Sequence, residues 1–336
     1  MKLSTVQKAV VAVIIANVIW GSAAAIFKVS LTNIPPFTLA FWRFFLGAII
    51  LLLFLGKKAS MPMHGSKSWL LLLSYALTGI TLNIIFFFWG LQLTYSINAP
   101  IIASGAPILT FFLAIFFLRE PFNIKKLFGM LLGTAGILII VLKPLLEKGI
   151  DGSITGNMFL VIATFGAVFN TIIGKKALAK FPALPFTFWA FLVGAASFLP
   201  LALYEYIQTP TIYTVLDWRG YMGVTFGAIL SSAVAYSLYA WGLSKISATD
   251  TSLFTYLDPV VGTILGAALL HEPITGLFLL GALLIFVGIG VAEGRLHHPA
   301  VKLAHEAKPL PASKPEPAPK SNTQEVLKGI FGKTKE

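Results

Sequence analysis

Two charged residues inside long apolar stretches are the residues of this sequence best placed to do chemistry. Arg43 lies in an aromatic run, and Asp258 directly precedes Pro259. A charge in the middle of a membrane helix costs about 2.5–3.5 kcal/mol, so each needs a partner, water or the interface. For Arg43 two interpretations stay open: its side chain reaches the outer headgroups, or it faces a wet cavity and anchors an anionic substrate group.

Asp258 is the only carboxylate deep inside a predicted span. Because the ring nitrogen of Pro259 cannot donate to the carbonyl of Thr255, we expect a kink in the helix at this point. A carboxylate beside a freed carbonyl is a candidate cation or proton site, which predicts a role in coupling transport to an ion. The alternative is a structural hydrogen bond that closes the kink.

Further polar and aromatic residues near span centres are candidate substrate contacts. Most buried Asn and Ser residues in membranes instead hold helices together, so that interpretation stays open for each of them. Aromatic walls with few charges suit a zwitterionic or amphipathic molecule better than a polyanion. Besides Arg43, the predicted substrate-binding residues are Asn17, Trp20, Asn83, Phe87, Ser104, Tyr236, Tyr239 and Tyr256.

Paired helix interruptions indicate where such a site would lie. The run of small residues from Ala103 to Ala106 precedes Pro107, and Asp258 precedes Pro259 at the corresponding place in the second half. Interruptions at matching positions are typical of midplane binding sites in transporters. We therefore predict Pro107 and Pro259 as hinges.

The composition requires a membrane protein. The 336 residues are 57% hydrophobic and 11% charged, whereas soluble domains carry about 25% charged residues. Without cysteine there is no disulfide framework, thiolate metal site or cysteine nucleophile. No HExxH or Walker-type spacing occurs, so we expect no enzyme, no cofactor and no metal site.

Ten apolar segments are long enough to be membrane spans. They lie at about 9–28, 36–55, 69–91, 96–118, 124–142, 154–174, 185–204, 221–243, 249–270 and 274–292. Lys and Arg are concentrated in the loops on the side of the N-terminus, which satisfies the positive-inside rule and explains the net charge of +12 without nucleic acid. The expected location is the inner (plasma) membrane, with both termini cytoplasmic.

An internal duplication determines how these spans are arranged. The segment Trp89–Pro121 recurs without a gap as Trp241–Pro273. The same offset carries two further glycines, Gly129 and Gly136, to Gly281 and Gly288. Each copy holds five spans, an odd number, so the second copy must be inverted relative to the first. The predicted fold is an all-α integral membrane protein with repeats at 1–150 and 151–294 and a disordered cytoplasmic tail at 295–336.

The copies differ at the two charged positions. Arg43 corresponds to Leu192, and Asp258 corresponds to Ala106. A symmetric frame therefore carries two unmatched charges, and we expect substrate specificity to depend on them.

The pattern resembles the EamA-type ten-span carriers of the drug/metabolite transporter superfamily. The residues that carry the resemblance are Trp20-Gly21, Lys28, Pro36, Arg43-Phe44, Pro107, Glu120-Pro121, Asp258-Pro259 and Glu272-Pro273. The resemblance implies alternating access around a central cavity lined mainly by spans one, three, four, six, eight and nine. It implies a cavity position for Trp20 and an acid before the proline of span nine, where this chain has the shorter Asp258.

The resulting functional hypothesis is a secondary active transporter that exports a small metabolite, such as an amino acid or a related compound, coupled to protons. One alternative is efflux of drugs or lipophilic cations, which need an intramembrane acid such as Asp258. Another is a membrane scaffold without transport. The expected partners are a small-molecule substrate, protons and the lipid bilayer, with no nucleic acid, for a monomer or weak dimer.

Overall fold

The computed structural model describes residues 3–61, 63, 65–94, 98–148, 154–270 and 276–293, and within them every regular element is a helix. The predicted disordered tail lies outside the described residues.

Ten helical segments follow one another in the order predicted for the spans. They are α1 (Thr5–Ser30), α2 (Pro36–Leu55), α3 (Ser66–Leu93), α4 (98–118), α5 (Ile124–Lys148), α6 (Ile154–Leu178), α7 (Ala183–Gln208), α8 (Trp218–Lys245), α9 (248–270) and α10 (Gly276–Glu293). Among the described residues, six segments are long and apolar enough to cross a membrane, namely Thr5–Ser30, Pro36–Ala59, Ser66–Leu93, Ile154–Leu178, Ala183–Gln208 and Trp218–Lys245.

The two halves pack through matching pairs of helices. α2 lies against α7, and α5 lies against α10. α1 packs on α8 and α9, while its counterpart α6 packs on α3 and α4. This reciprocal pairing confirms the predicted all-α fold with two inverted five-helix repeats. Because all the described helices belong to one compact unit, the repeats interlock. The repeat boundaries at 150 and 294 stay a prediction.

Helices α4 and α9 are both irregular near Pro107 and Pro259, where the sequence predicted interruptions. α4 consists of Asn98–Ala103 and Ala106–Leu118, and Pro107 occupies the first turn of the second part. In α9 a 3-10 turn, Phe254–Tyr256, precedes the segment that contains Pro259. The role of the two prolines as hinges stays a prediction.

Two π-helical segments occupy matching places in the repeats, and the sequence did not predict them. They are Leu77–Leu82 in α3 and Gly227–Tyr236 in α8, and the repeat offset places the first within the second. A π-helical turn has one more residue than an α-helical turn, and so changes the direction in which side chains leave the helix. Both segments lie in the middle of their helices, where the candidate site is found.

The repeated glycines allow α5 and α10 to approach backbone to backbone. A Cβ atom at Gly136 would lie 2.5 Å from the Gly281 carbonyl oxygen, and one at Gly288 would lie 2.5 Å from the Gly129 carbonyl oxygen. Lipid supplies no hydrophobic force between helices, so such close van der Waals packing holds them together. The four glycines that the duplication places in correspondence therefore form one crossing.

We expect Gly288→Ala to lower the free energy of unfolding by about 1–3 kcal/mol, because the added methyl group forces two backbones apart. Gly290→Ala on the same helix is the matched control, since a Cβ at Gly290 would meet nothing within 4 Å. Thermal unfolding of both variants in detergent measures the difference. Equal melting temperatures for the two variants would contradict this packing.

Candidate functional site

A cavity of about 240 Å³ lies between the two halves, bounded by α1, α3, α4, α6, α8 and α9, with one side chain from α2. These are the six spans that the family resemblance implied. Eight of the predicted site residues line the cavity, namely Asn17, Trp20, Arg43, Asn83, Phe87, Tyr236, Tyr239 and Asp258. Their contact with a substrate stays a prediction.

Arg43 faces the cavity and does not reach toward headgroups. Only 2% of its surface is exposed. Nη2 donates to Ser231 Oγ at 3.0 Å, and Nε donates to Ser232 Oγ at 3.3 Å. The guanidinium also lies 4.8 Å and 4.6 Å from the ring centroids of Phe27 and Phe44. It forms no ion pair with a described residue, so the cation is held by dipoles and aromatic rings.

The π-helical segment of α8 determines where this cation lies. Both serines that accept from Arg43 belong to it, and a Cβ at Gly227 would lie 3.0 Å from the Arg43 Cβ. Trp20 Nε1 donates to the Ser231 carbonyl oxygen at 3.1 Å, so α1 is bonded to the same segment. Helices α1, α2 and α8 therefore meet at one irregular stretch of backbone.

A cluster of aromatic residues forms the floor of the cavity. The Trp20 ring lies 5.0 Å from the Tyr236 ring and 5.2 Å from the Tyr239 ring. The Tyr239 hydroxyl shares a hydrogen bond of 2.9 Å with Thr171 Oγ1 on α6. This bond joins α6 to α8 within the second half.

Asp258 lines the cavity, and one of its oxygens has no hydrogen-bond partner among the described residues. Its Oδ1 atom is buried and accepts no hydrogen bond from a described residue. Burying a carboxylate oxygen without a partner costs free energy. The alternative interpretation of Asp258, a structural hydrogen bond that closes the kink, therefore gains no support from this oxygen. α1 packs directly on this residue, since a Cβ at Gly21 would lie 2.9 Å from the Asp258 carbonyl oxygen.

Four predicted site residues do not line the cavity. The Tyr256 hydroxyl donates to the Met130 carbonyl oxygen at 2.9 Å and is 3.0 Å from Thr134 Oγ1, so it joins α9 to α5. The Ser104 carbonyl accepts from the same threonine at 3.4 Å. Neither Tyr256 nor Ser104 lines the cavity, and their contact with a substrate stays a prediction. The other two, Pro107 and Pro259, also do not line the cavity.

Several cavity residues were missed in the sequence. Phe27, Thr110 and Thr171 line the cavity, although residues of these types are common in membrane helices and gave no signal of their own. Asn170 also lines it and donates to the Tyr75 carbonyl oxygen at 2.9 Å. Its hydrogen bond joins helices, as most intramembrane asparagines do.

The cavity lining extends toward both ends of the molecule. We call one the Lys28 end, where α1 and α3 finish and α4 and α6 begin; the opposite one is the Lys175 end. Lining residues reach Ala99 and Leu160 near the Lys28 end, and Thr171, Tyr239 and Ser252 toward the Lys175 end.

Comparison with known families agrees with this architecture. The profile of the EamA-like transporter family matches residues 7–142 and again residues 154–292, once in each half. The chain belongs to this family. A crystal structure with 18% sequence identity superposes with a TM-score of 0.70 over 84% of this chain and 97% of its own, which supports the fold.

Two relatives illustrate the range of this similarity. The uncharacterized transporter YetK of Bacillus subtilis is 30% identical over 298 residues, covering 88% of this chain and 89% of its own. A protein of Escherichia coli named a probable amino-acid metabolite efflux pump is 27% identical over 281 residues, covering 81% and 90%.

We expect the double variant Ser231→Ala/Ser232→Ala to be less stable by about 1–3 kcal/mol or more, because the buried guanidinium loses both hydroxyl acceptors. Ser237→Ala on the same helix is the control. Its buried hydroxyl has no hydrogen-bond partner among the described residues, so its removal should be neutral or stabilising. Unfolding in detergent tests this, and equal losses would refute the role of the two serines.

Proposed function

We propose that this protein is a secondary active transporter that exports a small zwitterionic metabolite, an amino acid or a close relative, in exchange for protons. Alternating access between the two inverted repeats would carry the substrate across. The observation that supports this proposal best is the pair of opposite charges in the cavity wall.

Arg43 and Asp258 can hold the two charged groups of a zwitterion. Both line the cavity, and they form no ion pair with each other or with another described residue. A guanidinium recognises a carboxylate through two parallel hydrogen bonds, and a carboxylate attracts an ammonium group. A zwitterion would neutralise both groups at once, whereas a lipophilic cation would leave Arg43 without a counter-ion.

The dimensions of the cavity favour a small substrate over a drug. Its volume of about 240 Å³ is below the range of roughly 300–1,000 Å³ that is usual for drug-sized ligands. Rings of Trp20, Phe87 and Tyr236 supply an apolar wall for a side chain. The naming of relatives in Escherichia coli and Salmonella typhimurium as probable amino-acid metabolite efflux pumps agrees with this substrate class.

Competition at Asp258 provides a physical route to coupling. A proton on its carboxylate removes the charge that attracts the ammonium group, so proton entry weakens substrate binding. Because the two ligands need the same oxygen atoms, proton and substrate occupy the site alternately. Exchange of one for the other follows from this competition.

We expect proteoliposomes that contain the protein to accumulate at least one amino acid from a broad panel when a pH gradient is imposed. Vesicles without protein and vesicles with a collapsed gradient are the controls. Absence of gradient-dependent flux for every amino acid would refute the proposed cargo. Flux of lipophilic cations instead would favour drug efflux.

We expect Arg43→Gln to weaken amino-acid binding by roughly 10- to 150-fold, because a hydrogen bond to a charged group contributes about 1.5–3 kcal/mol. The amine that lacks the carboxylate of the amino acid tests the same interaction from the side of the substrate. It should bind weakly both to the unaltered protein and to Arg43→Gln. Competition against a transported amino acid measures these affinities. An unchanged preference for the carboxylate in the variant would exclude Arg43 from recognition.

We expect Asp258→Asn to abolish flux driven by the pH gradient, because the amide cannot take up and release a proton. Asp217→Asn is the control, since Asp217 lies outside the cavity and pairs with Arg219 at 2.7 Å. Counterflow of labelled substrate, at concentrations raised to offset the weaker attraction for the ammonium group, shows that the variant still folds and exchanges substrate. Full proton-driven flux in Asp258→Asn would remove this residue from the coupling mechanism.

A further inference from the structure

At the Lys175 end several groups donate hydrogen bonds to Glu120, a residue that the proposed binding site does not use. Glu120 follows α4, and its two carboxylate oxygens accept from the start of α9. The Ala248 amide donates at 2.7 Å, the Thr249 amide at 3.3 Å and Thr249 Oγ1 at 2.6 Å. These bonds connect the first half of the chain to the second at this end.

Lys175 joins two helices of the second half at the same end, and Lys28 makes the corresponding contact with the Leu91 and Thr94 carbonyl oxygens at the other end. The Lys175 Nζ atom, near the end of α6, donates to the carbonyl oxygens of Leu243 at 2.8 Å and Ile246 at 2.5 Å. Those carbonyls lie where α8 ends, immediately before α9 begins. Lys175 and Glu120 therefore hold neighbouring stretches of the chain on either side of the same turn.

An ion pair completes this group of contacts. Lys126 at the start of α5 lies 2.5 Å from Asp250 on α9. Ser247 Oγ donates to the same carboxylate at 2.6 Å. With these bonds, the first turn of α9 is bonded to the ends of two helices from the other half.

We propose that Glu120 is a gating residue. Its hydrogen bonds to Ala248 and Thr249 hold the Lys175 end closed, and they must break before substrate can pass at that end. The inference rests on the alternating access of the proposed function, because a gate has meaning only if both ends open in turn.

The position of these bonds distinguishes a gate from an ordinary helix cap. α4 and α9 both line the cavity and both are interrupted beside it, just before Pro107 and at the 3-10 turn that precedes Pro259. A bond between their ends at the Lys175 end therefore holds together the helices that must separate. Loss of one hydrogen bond to a charged group at this position favours the open arrangement directly.

The chain also contains a matched contact away from the floor of the cavity. Glu205 on α7 accepts from the Phe37 amide at 3.1 Å, the Thr38 amide at 2.7 Å and Thr38 Oγ1 at 2.8 Å. The chemistry is the same as at Glu120, with two backbone amides and one threonine hydroxyl. Glu205 joins α7 to α2, away from α4 and α9. Glu205→Gln therefore measures the general cost of losing a carboxylate that accepts from a helix N-terminus.

The natural absence of cysteine makes the gate measurable. Ala114→Cys places one thiol on α4 close to the Lys175 end, at a residue with 0% exposure. Ala103→Cys places one in the cavity wall. A membrane-impermeant maleimide, applied to either side of sealed vesicles that contain the full chain, reports from which side each thiol is accessible.

When Ala114→Cys is the only substitution, we expect its thiol to be protected from the maleimide. Glu120→Gln should raise its labelling rate about tenfold, the factor for losing one hydrogen bond to a charged group. Labelling of Ala103→Cys should shift toward the Lys175 side. Thr249→Val removes only the hydroxyl donor, so a smaller rise in the same direction is expected even if Glu120→Gln folds poorly.

Glu205→Gln should leave both labelling patterns unchanged. Continued protection of Ala114→Cys in both Glu120→Gln and Thr249→Val would overturn the inference. An equal rise of its labelling rate in Glu205→Gln would also overturn it, because that result would mean a general loosening of the helices. The measurement needs no substrate. Failure to find amino-acid flux, with the labelling shift present, would therefore refute the cargo and leave the gate in place.

Discussion

A bilayer offers no hydrogen bonds, so each polar group within this protein needs a partner in the chain or a place in the cavity wall. The inverted pairing of helices provides both. Trp20 and Asn83 donate to backbone carbonyls across the boundary between the halves, at 3.1 Å and 2.7 Å. Where the halves leave a gap, the wall carries Arg43 and Asp258. In that wall one buried oxygen, Asp258 Oδ1, accepts no hydrogen bond from a described residue, and this connects the architecture to the proposed transport.

Much of the fold was predictable because lipid makes hydrophobic length and residue size unusually informative. Ten spans, their inversion and the interruption before Pro107 all followed from apolar runs, the repeat and helix-breaking residues. The glycines that recur between the copies were visible as a pattern, and the structure adds that Gly136 meets Gly281 and Gly129 meets Gly288. A symmetric duplication predicts corresponding positions, but only the folded pair of helices shows which of them touch.

The parts of the site that could not be predicted depend on exact helix geometry. A π-helical turn has no composition of its own, so the segments in α3 and α8 were not visible, although they determine which side chains face the cavity. Tyr256 illustrates the same point. It lies two residues before Asp258 and was predicted as a substrate contact, but its hydroxyl donates to the Met130 carbonyl oxygen on α5. Rotation of a helix by a single residue changes the surface that a side chain faces, and hydropathy does not resolve it.

The unmatched positions Arg43/Leu192 and Asp258/Ala106 have a thermodynamic consequence. If the two halves were identical, exchanging their conformations would convert one open state into the other, related to it by a two-fold rotation in the membrane plane, and the two would have equal free energy. Two charges on different helices remove that equality. The proton and the cargo then meet a different electrostatic environment from each face of the membrane. Half-saturation concentrations measured from the two faces should therefore be unequal, while the ion and substrate gradients alone still determine the direction of net movement.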